Sequence, residues 1–367
     1  MAKIKLFVFI ATFAQLLICL NIFLGTKQDV ADFRGAFKSS SKRYKESKLE
    51  FIFETDMETF PQFLQLKNIE QKNRLLKNPY IFNCTNINEV HILKSNVGGG
   101  RSKTVDIGIF EGEMVVTKRI SDIKPKVISE EYREVLFMKE ILLRDQLEHP
   151  GLIQMLGFCV RYINREGYKG FPLNDIKAVY EYGEEFDIQN LKLTTNERLI
   201  YALDLANLLL YLHKSPLGSL KIGDFKKTHF LLVKNKIKLI DLDYMHNIEK
   251  QCQYSKNETL NACPYKLACT RLNKDELSNT SCDYERGCNI GKCAGYNTKR
   301  NIYHIYTTFF KHLLRPELFP LQMQKILLNL LSTLNDNDIE VEELVEILEN
   351  IILSLTITLK ITLNQNN

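Results

Sequence analysis

Between residues 90 and 357 the hydrophobic period of the chain changes in a definite order, and that order restricts the fold more than any other feature. His91-Ile92-Leu93, Val105 to Phe110 and Met114 to Ile120 read as strands, with Gly98-Gly99-Gly100 as a turn. Ile128, Val135, Met138, Ile141 and Leu142 then recur at helical spacing across residues 128–147. Strands resume at Ile153–Val160 and Ala178–Tyr182. Thr194-x-x-Glu197 opens the next helix as a capping box, and Leu199, Leu203, Ala206 and Leu210 carry it to Ser215-Pro216. Short strands follow at Phe230–Val233 and Ile237–Ile240, and residues 301–357 are helical and strongly apolar. Strands with one helix among them, followed by mostly helices, predict an α+β fold with a small sheet lobe and a larger helical lobe.

The N-terminus has a different character. Lys3 and Lys5 precede an apolar run from Leu6 to Gly25, broken only by Thr12, Gln15 and Asn21. Positive residues before such a run make residues 1–26 a signal peptide or a signal-anchor, and roughly 20 apolar residues suffice to cross a bilayer. A buried core helix would leave Lys3 and Lys5 without a reason. Residues 27–82 read as a stem and N-terminal extension, polar and rich in Lys and Ser at first, with a helix expected over 57–77. The compact domain is expected over 83–357 and a tail over 358–367. The net charge of +5 is spread along the chain. A nucleic-acid binder would concentrate it on one face, so no nucleic-acid partner is expected.

Cysteine usage agrees with secretory targeting. Of nine cysteines, Cys19 lies in the apolar run. Cys84 and Cys159 flank the strands of the small lobe, and Cys252, Cys263, Cys269, Cys282, Cys288 and Cys293 crowd into the segment 250–295. An even, clustered set in a targeted protein reads as disulfides. The irregular spacing lacks the paired ligands of a zinc site. The six are expected to pair among themselves, and Cys84 with Cys159. Asn83-Cys84-Thr85, Asn257-Glu258-Thr259 and Asn279-Thr280-Ser281 are N-glycosylation sequons.

Five stretches carry chemistry. Val97-Gly98-Gly99-Gly100-Arg101-Ser102-Lys103-Thr104-Val105 resembles a nucleotide-binding glycine loop, with Lys103 where a third glycine is usual. Val115-Val116-Thr117-Lys118 is similar to the Val-Ala-Ile-Lys strand of protein kinases, and Glu140, or alternatively Glu134, stands on the following helix. Glu181-Tyr182-Gly183 closes a strand in the manner of a hinge. Gly223-Asp224-Phe225-Lys226 follows the long apolar helix, and Asp241-Leu242-Asp243 comes 17 residues after Asp224 (224 to 241). The joint spacing of Lys118, Asp224 and Asp241 is far more specific than any one of them. Together with His213 to Ser219, Lys238-Leu239-Ile240 and Gly295 to Tyr303, these residues resemble the vertebrate lonesome kinase family, secreted protein-tyrosine kinases. The likeness covers roughly residues 83–355 and is strongest from 210 to 310. Cysteine-rich divergent kinase-domain proteins and the protein O-mannose kinase are relatives.

The resemblance implies a two-lobed protein-kinase-like fold in which the cysteine-rich segment replaces the activation segment and Asn301-Ile302-Tyr303 opens the central helix. It implies ATP as phosphate donor and Mg2+ or Mn2+ as cofactor. Val97, Gly98, Gly100 and Val105 would cradle the nucleotide, Lys118 paired with Glu140 would hold its phosphates, and Glu181 would offer backbone groups to adenine. Asp224 would be the catalytic base beside Lys226, and Asp241 the metal ligand, with His229 where an asparagine is usual. Ile222-Gly223 replaces the usual His-Arg before the base. The implied function is phosphorylation of secretory or extracellular protein hydroxyls, with tyrosine as acceptor, in the ER or Golgi lumen or after secretion. Membrane contact is expected only through an uncleaved N-terminal segment. Two other readings are a pseudokinase binding module and a glycan kinase.

Overall fold

The computed structural model describes residues 80–99, 102–120, 130–162, 173–251, 288–289, 291–293 and 295–365. The N-terminal apolar run, the predicted 57–77 helix, Gly100, Cys252, Cys263, Cys269, Cys282, Asn257 and Asn279 lie outside them. Among the described residues no helix is long and apolar enough to cross a membrane.

The small lobe is an antiparallel sheet of β1 (His91–Gly99), β2 (Lys103–Phe110), β3 (Glu113–Ile120), β4 (Met155–Tyr162) and β5 (Leu173–Glu181), in the order β1-β2-β3-β5-β4. The glycines read as a turn are partly strand: Gly98 and Gly99 pair with Val105 and Thr104. Gly99 has φ +139°, and a Cβ there would lie 2.4 Å from the Lys103 carbonyl oxygen, so this position, more than Gly98, demands glycine. Helix α1 (Glu130–Gln146) packs Phe137, Met138 and Ile141 against Ile176, Ala178 and Tyr180 of β5. Cys84 and Cys159 form a disulfide that ties the segment before β1 to β4.

Helix α1 is also bound to what lies beyond the sheet. The Arg144 guanidinium donates to the Ile153 carbonyl at 3.1 Å and to the Leu239 carbonyl at 2.8 Å. The Tyr80 hydroxyl donates to Asp145 at 2.6 Å.

The large lobe is built on α2 (Thr195–His213), buried through Leu199, Leu205, Leu209 and Leu212. Its predicted capping box is present: Thr194 Oγ1 accepts from Glu197 N, and the Glu197 carboxylate accepts from Thr194 N at 2.8 Å. Strands β6 (Glu184–Glu185), β7 (Phe230–Val233) and β8 (Lys236–Leu239) form a small sheet against it. A short hairpin, β9 (Cys288–Asn289) with β10 (Lys292–Cys293), precedes α3 (Tyr296–Ile305). Cys293 is buried and disulfide-bonded.

Helix α3 begins at Tyr296, earlier than the Asn301 expected from the sequence, because Gly295 at φ 75° turns the chain into it. A π-helical turn at Tyr306–Phe310 then drives both Phe309 and Phe310 into the core. Helices α4 (Leu321–Asn335) and α5 (Val341–Gln365) complete the lobe. Helix α5 runs on through residues 358–365, expected to be tail, because no Pro or Gly interrupts the sequence after Val341.

Candidate active site

Strand alternation places Lys103, Val105 and Lys118 on one face of the small sheet. Val105 pairs with Lys118, and Lys118 pairs with Ala178. From that face the Lys118 ammonium donates to Glu140 Oε1 at 2.6 Å and to the Ile240 carbonyl at 2.9 Å, and lies 4.8 Å from the Tyr180 ring centroid. Glu140 is fully buried, and it, not Glu134, takes the lysine. Lys103 also reaches Glu140, through its other oxygen, and donates to Asp241 Oδ1 at 2.9 Å and Asp243 Oδ2 at 2.9 Å.

Burial pushes the Lys118 ammonium down, and the neighbouring Lys103 adds to that against the pull of Glu140. Burial alone would raise the Glu140 carboxyl, but the two lysines hold it below its ordinary value. Asp241 follows the same logic: burial works upward, while Lys103, Lys118 and His229 hold it well below the carboxylate range. Its neighbour goes the other way. Burial pushes Asp243 up to about 7; Lys103 opposes this, and Asp241 and Glu140 reinforce it.

Asp224 stands on the loop before β7, with Lys226 Nζ 2.5 Å from its Oδ2. The residue after it, Phe225, stacks on His304 at 4.9 Å and packs 5.3 Å from Phe230, so the loop is seated on aromatic rings. The residues before it explain the missing His-Arg. Ile222 is buried in the large-lobe core, and a Cβ on Gly223 would lie 2.1 Å from the Tyr244 carbonyl oxygen, leaving no room for a side chain. Helix α3 clamps this loop from below. Asn301 Oδ1 accepts from Ile222 N at 3.0 Å, Asn301 Nδ2 donates to the Leu220 carbonyl at 2.8 Å, and Asn297 Nδ2 donates to the Ser219 carbonyl at 3.0 Å.

His229 joins the two aspartates. Its Nδ1 is 3.0 Å from the Asp224 carbonyl oxygen and its Nε2 is 3.6 Å from Asp241 Oδ2. Burial pushes its pKa down, which favours the neutral, ligating imidazole. Asp224, His229 and Asp241 offer ligand atoms within 4.8 Å of one another, so these residues fit a divalent cation.

The structure therefore brings together Lys118, Glu140, Asp224, Lys226, His229 and Asp241. Val97, Gly98 and Val105 lie on the β1–β2 hairpin above them. Glu181 ends β5, but its amide donates to the Gln154 carbonyl at 3.1 Å and its carboxylate holds Lys238 at 2.6 Å, so it adds no free donor. Asn83 is exposed, its carboxamide oxygen accepting from Thr85 N at 2.8 Å. Lys103 and Asp243 join the site with side-chain roles that the sequence does not give them: it offers Lys103 in place of a glycine and Asp243 as the end of the Asp-Leu-Asp motif. Each stands two positions from a residue assigned to the site, Val105 and Asp241, and for Lys103 the strand period is the available signal.

No family model matches the chain. It is 29 % identical over 218 residues to the human extracellular tyrosine-protein kinase PKDCC, covering 59 % of this chain and 39 % of that protein. It is 30 % identical over 139 residues to wall-associated receptor kinase-like 6 of Arabidopsis thaliana, covering 37 % of this chain and 20 % of the relative. Wall-associated receptor kinase-like 5 of the same plant is 28 % identical over 142 residues, covering 38 % and 18 %. The chain thus spans about two fifths or less of the length of these relatives. The fold is the α+β, two-lobed fold of protein kinases.

Proposed function

We propose that this chain, a kinase-fold relative of the human extracellular tyrosine-protein kinase PKDCC, transfers the γ-phosphoryl group of ATP to hydroxyls of secretory-pathway proteins, with tyrosine as acceptor. The observation that carries the reading is the buried Lys118–Glu140 pair bonded, through the Ile240 carbonyl, to the residue before Asp241. Such a pair would fix a cation for the α- and β-phosphates, and Asp241 with His229 would hold a divalent ion. That ion would neutralise charge on the phosphates. In the transfer, the acceptor oxygen forms a bond to the γ-phosphorus as the bond to the ADP oxygen breaks. Asp224 takes the acceptor's proton, and Lys226 offsets the charge on the group in transit. The lumenal setting is supported by Lys3, Lys5 and the apolar run after them, by the Cys84–Cys159 disulfide, and by the extracellular relative.

The test is incubation of the purified chain with labelled ATP, Mn2+ or Mg2+ and a mixture of secretory proteins, followed by identification of the phosphorylated residue. Phosphotyrosine is expected. In Asp224→Asn, transfer should fall by about 10²–10⁴-fold with nucleotide binding retained. Binding without transfer in the unmodified chain would favour the binding-module reading, and label on carbohydrate the glycan-kinase reading.

A further inference from the structure

Two sets of ligand-capable side chains share Asp241. The outer set, Asp224–His229–Asp241, is half-buried, and the inner set, Glu140–Asp241–Asp243, is closed from solvent except on Asp241. The inner set already has a cation in it. Lys103 Nζ is ion-paired to Glu140 and stands 2.9 Å from both Asp241 Oδ1 and Asp243 Oδ2. An ammonium has three N–H donors, and here three carboxylates accept them. Its position is built by the strand: Lys103 pairs with Ile120 on β3, and the Gly99 backbone closes against its carbonyl.

A lysine of purely structural purpose needs one carboxylate. This one is held by three, of which only Asp241 is partly open to solvent. Without it, Glu140, Asp241 and Asp243 would share a single ammonium, that of Lys118, and three carboxylate oxygens within 4.8 Å of one another suit a divalent ion.

We propose that Lys103 is a built-in cation that occupies the inner carboxylate triad in place of a metal, so that the chain takes one divalent ion, at Asp224–His229–Asp241, and meets the remaining phosphate charge with Lys103 and Lys118. The purpose of that charge rests on the kinase reading; the occupancy of the triad does not.

The test counts Mn2+ bound to the purified chain by electron paramagnetic resonance, with no nucleotide present. The unmodified chain should bind one ion, Lys103→Met two, Lys103→Arg one, and Lys103→Met combined with Asp243→Asn one again. In thermal melts, millimolar Mn2+ should raise Lys103→Met by at least about 5 °C more than the unmodified chain, because ion binding restores what the lysine supplied. Should Lys103→Met fold only when Mn2+ is present, that too supports the proposal; failure to fold in either condition overturns it. Two ions on the unmodified chain, or no additional ion on folded Lys103→Met, also overturn it. Adding ATP to the same melts tests the kinase reading separately: no response to ATP removes that reading and leaves the ion count standing.

Discussion

At the scale of single residues, the choice of metal turns on His229. An imidazole at hydrogen-bonding reach of Asp224 and 3.6 Å from Asp241 suits Mn2+ better than Mg2+, which takes oxygen ligands almost exclusively. Activity should therefore be higher with Mn2+, and His229→Asn should shift the Mn2+ to Mg2+ ratio toward magnesium by on the order of tenfold. Measuring initial rates across both metals decides this, and an unchanged ratio would place His229 outside the metal site. Lys118, Asp224 and Asp241 were legible in the sequence because each sits at a spacing that the others constrain, whereas the sequence alone offers Glu134 beside Glu140 and the packed structure chooses Glu140. Lys103 was not. It was read as a substitute for a missing glycine, a backbone role, whereas its side chain lies in the acid cluster. Asp243 was read as part of a motif around Asp241, and only the packed structure brings it to Lys103.

At the scale of elements, the Asp224 loop depends on polar side chains of a helix it never joins in sequence. Asn301 is buried, and its carboxamide bonds the Ile222 amide and the Leu220 carbonyl. Asn301→Ala leaves both groups without that partner, at a cost of about 1–3 kcal/mol for each buried group stranded. The expected outcome is a lower melting temperature and a fall in kcat with little change in KM for ATP, since Lys118 and Glu140 are untouched; steady-state kinetics with a thermal melt reads both. The capping box at Thr194 was visible because two side chains, four positions inclusive, state it locally. The start of α3 was not, because the polar run Asn297-Thr298-Lys299-Arg300-Asn301 reads as loop until the groups it serves are known. Those groups lie about 80 positions earlier in the chain, where no local pattern announces them.

At the scale of the whole molecule, the two-lobed order was legible because strand and helix periods differ so plainly on either side of α2. The cysteine-rich segment was legible only as composition. Asn83 is exposed beside the Cys84–Cys159 disulfide, so glycan should be added there as well as at Asn257 and Asn279 if the domain is lumenal. Glycosidase treatment of the expressed protein should increase its mobility, and Asn83→Gln should remove one step of that shift; no shift at all would argue against lumenal placement. Helix α1 is fastened at its C-terminal end by Arg144 and by the Tyr80–Asp145 bond, and one turn earlier both lysines grip Glu140. A helix anchored in this way has little travel left for an on–off swing. If the chain is the kinase proposed above, it is set to act as soon as it has folded, and restraint would come from outside it: from the supply of nucleotide and metal in its compartment, and from how much of it the cell makes.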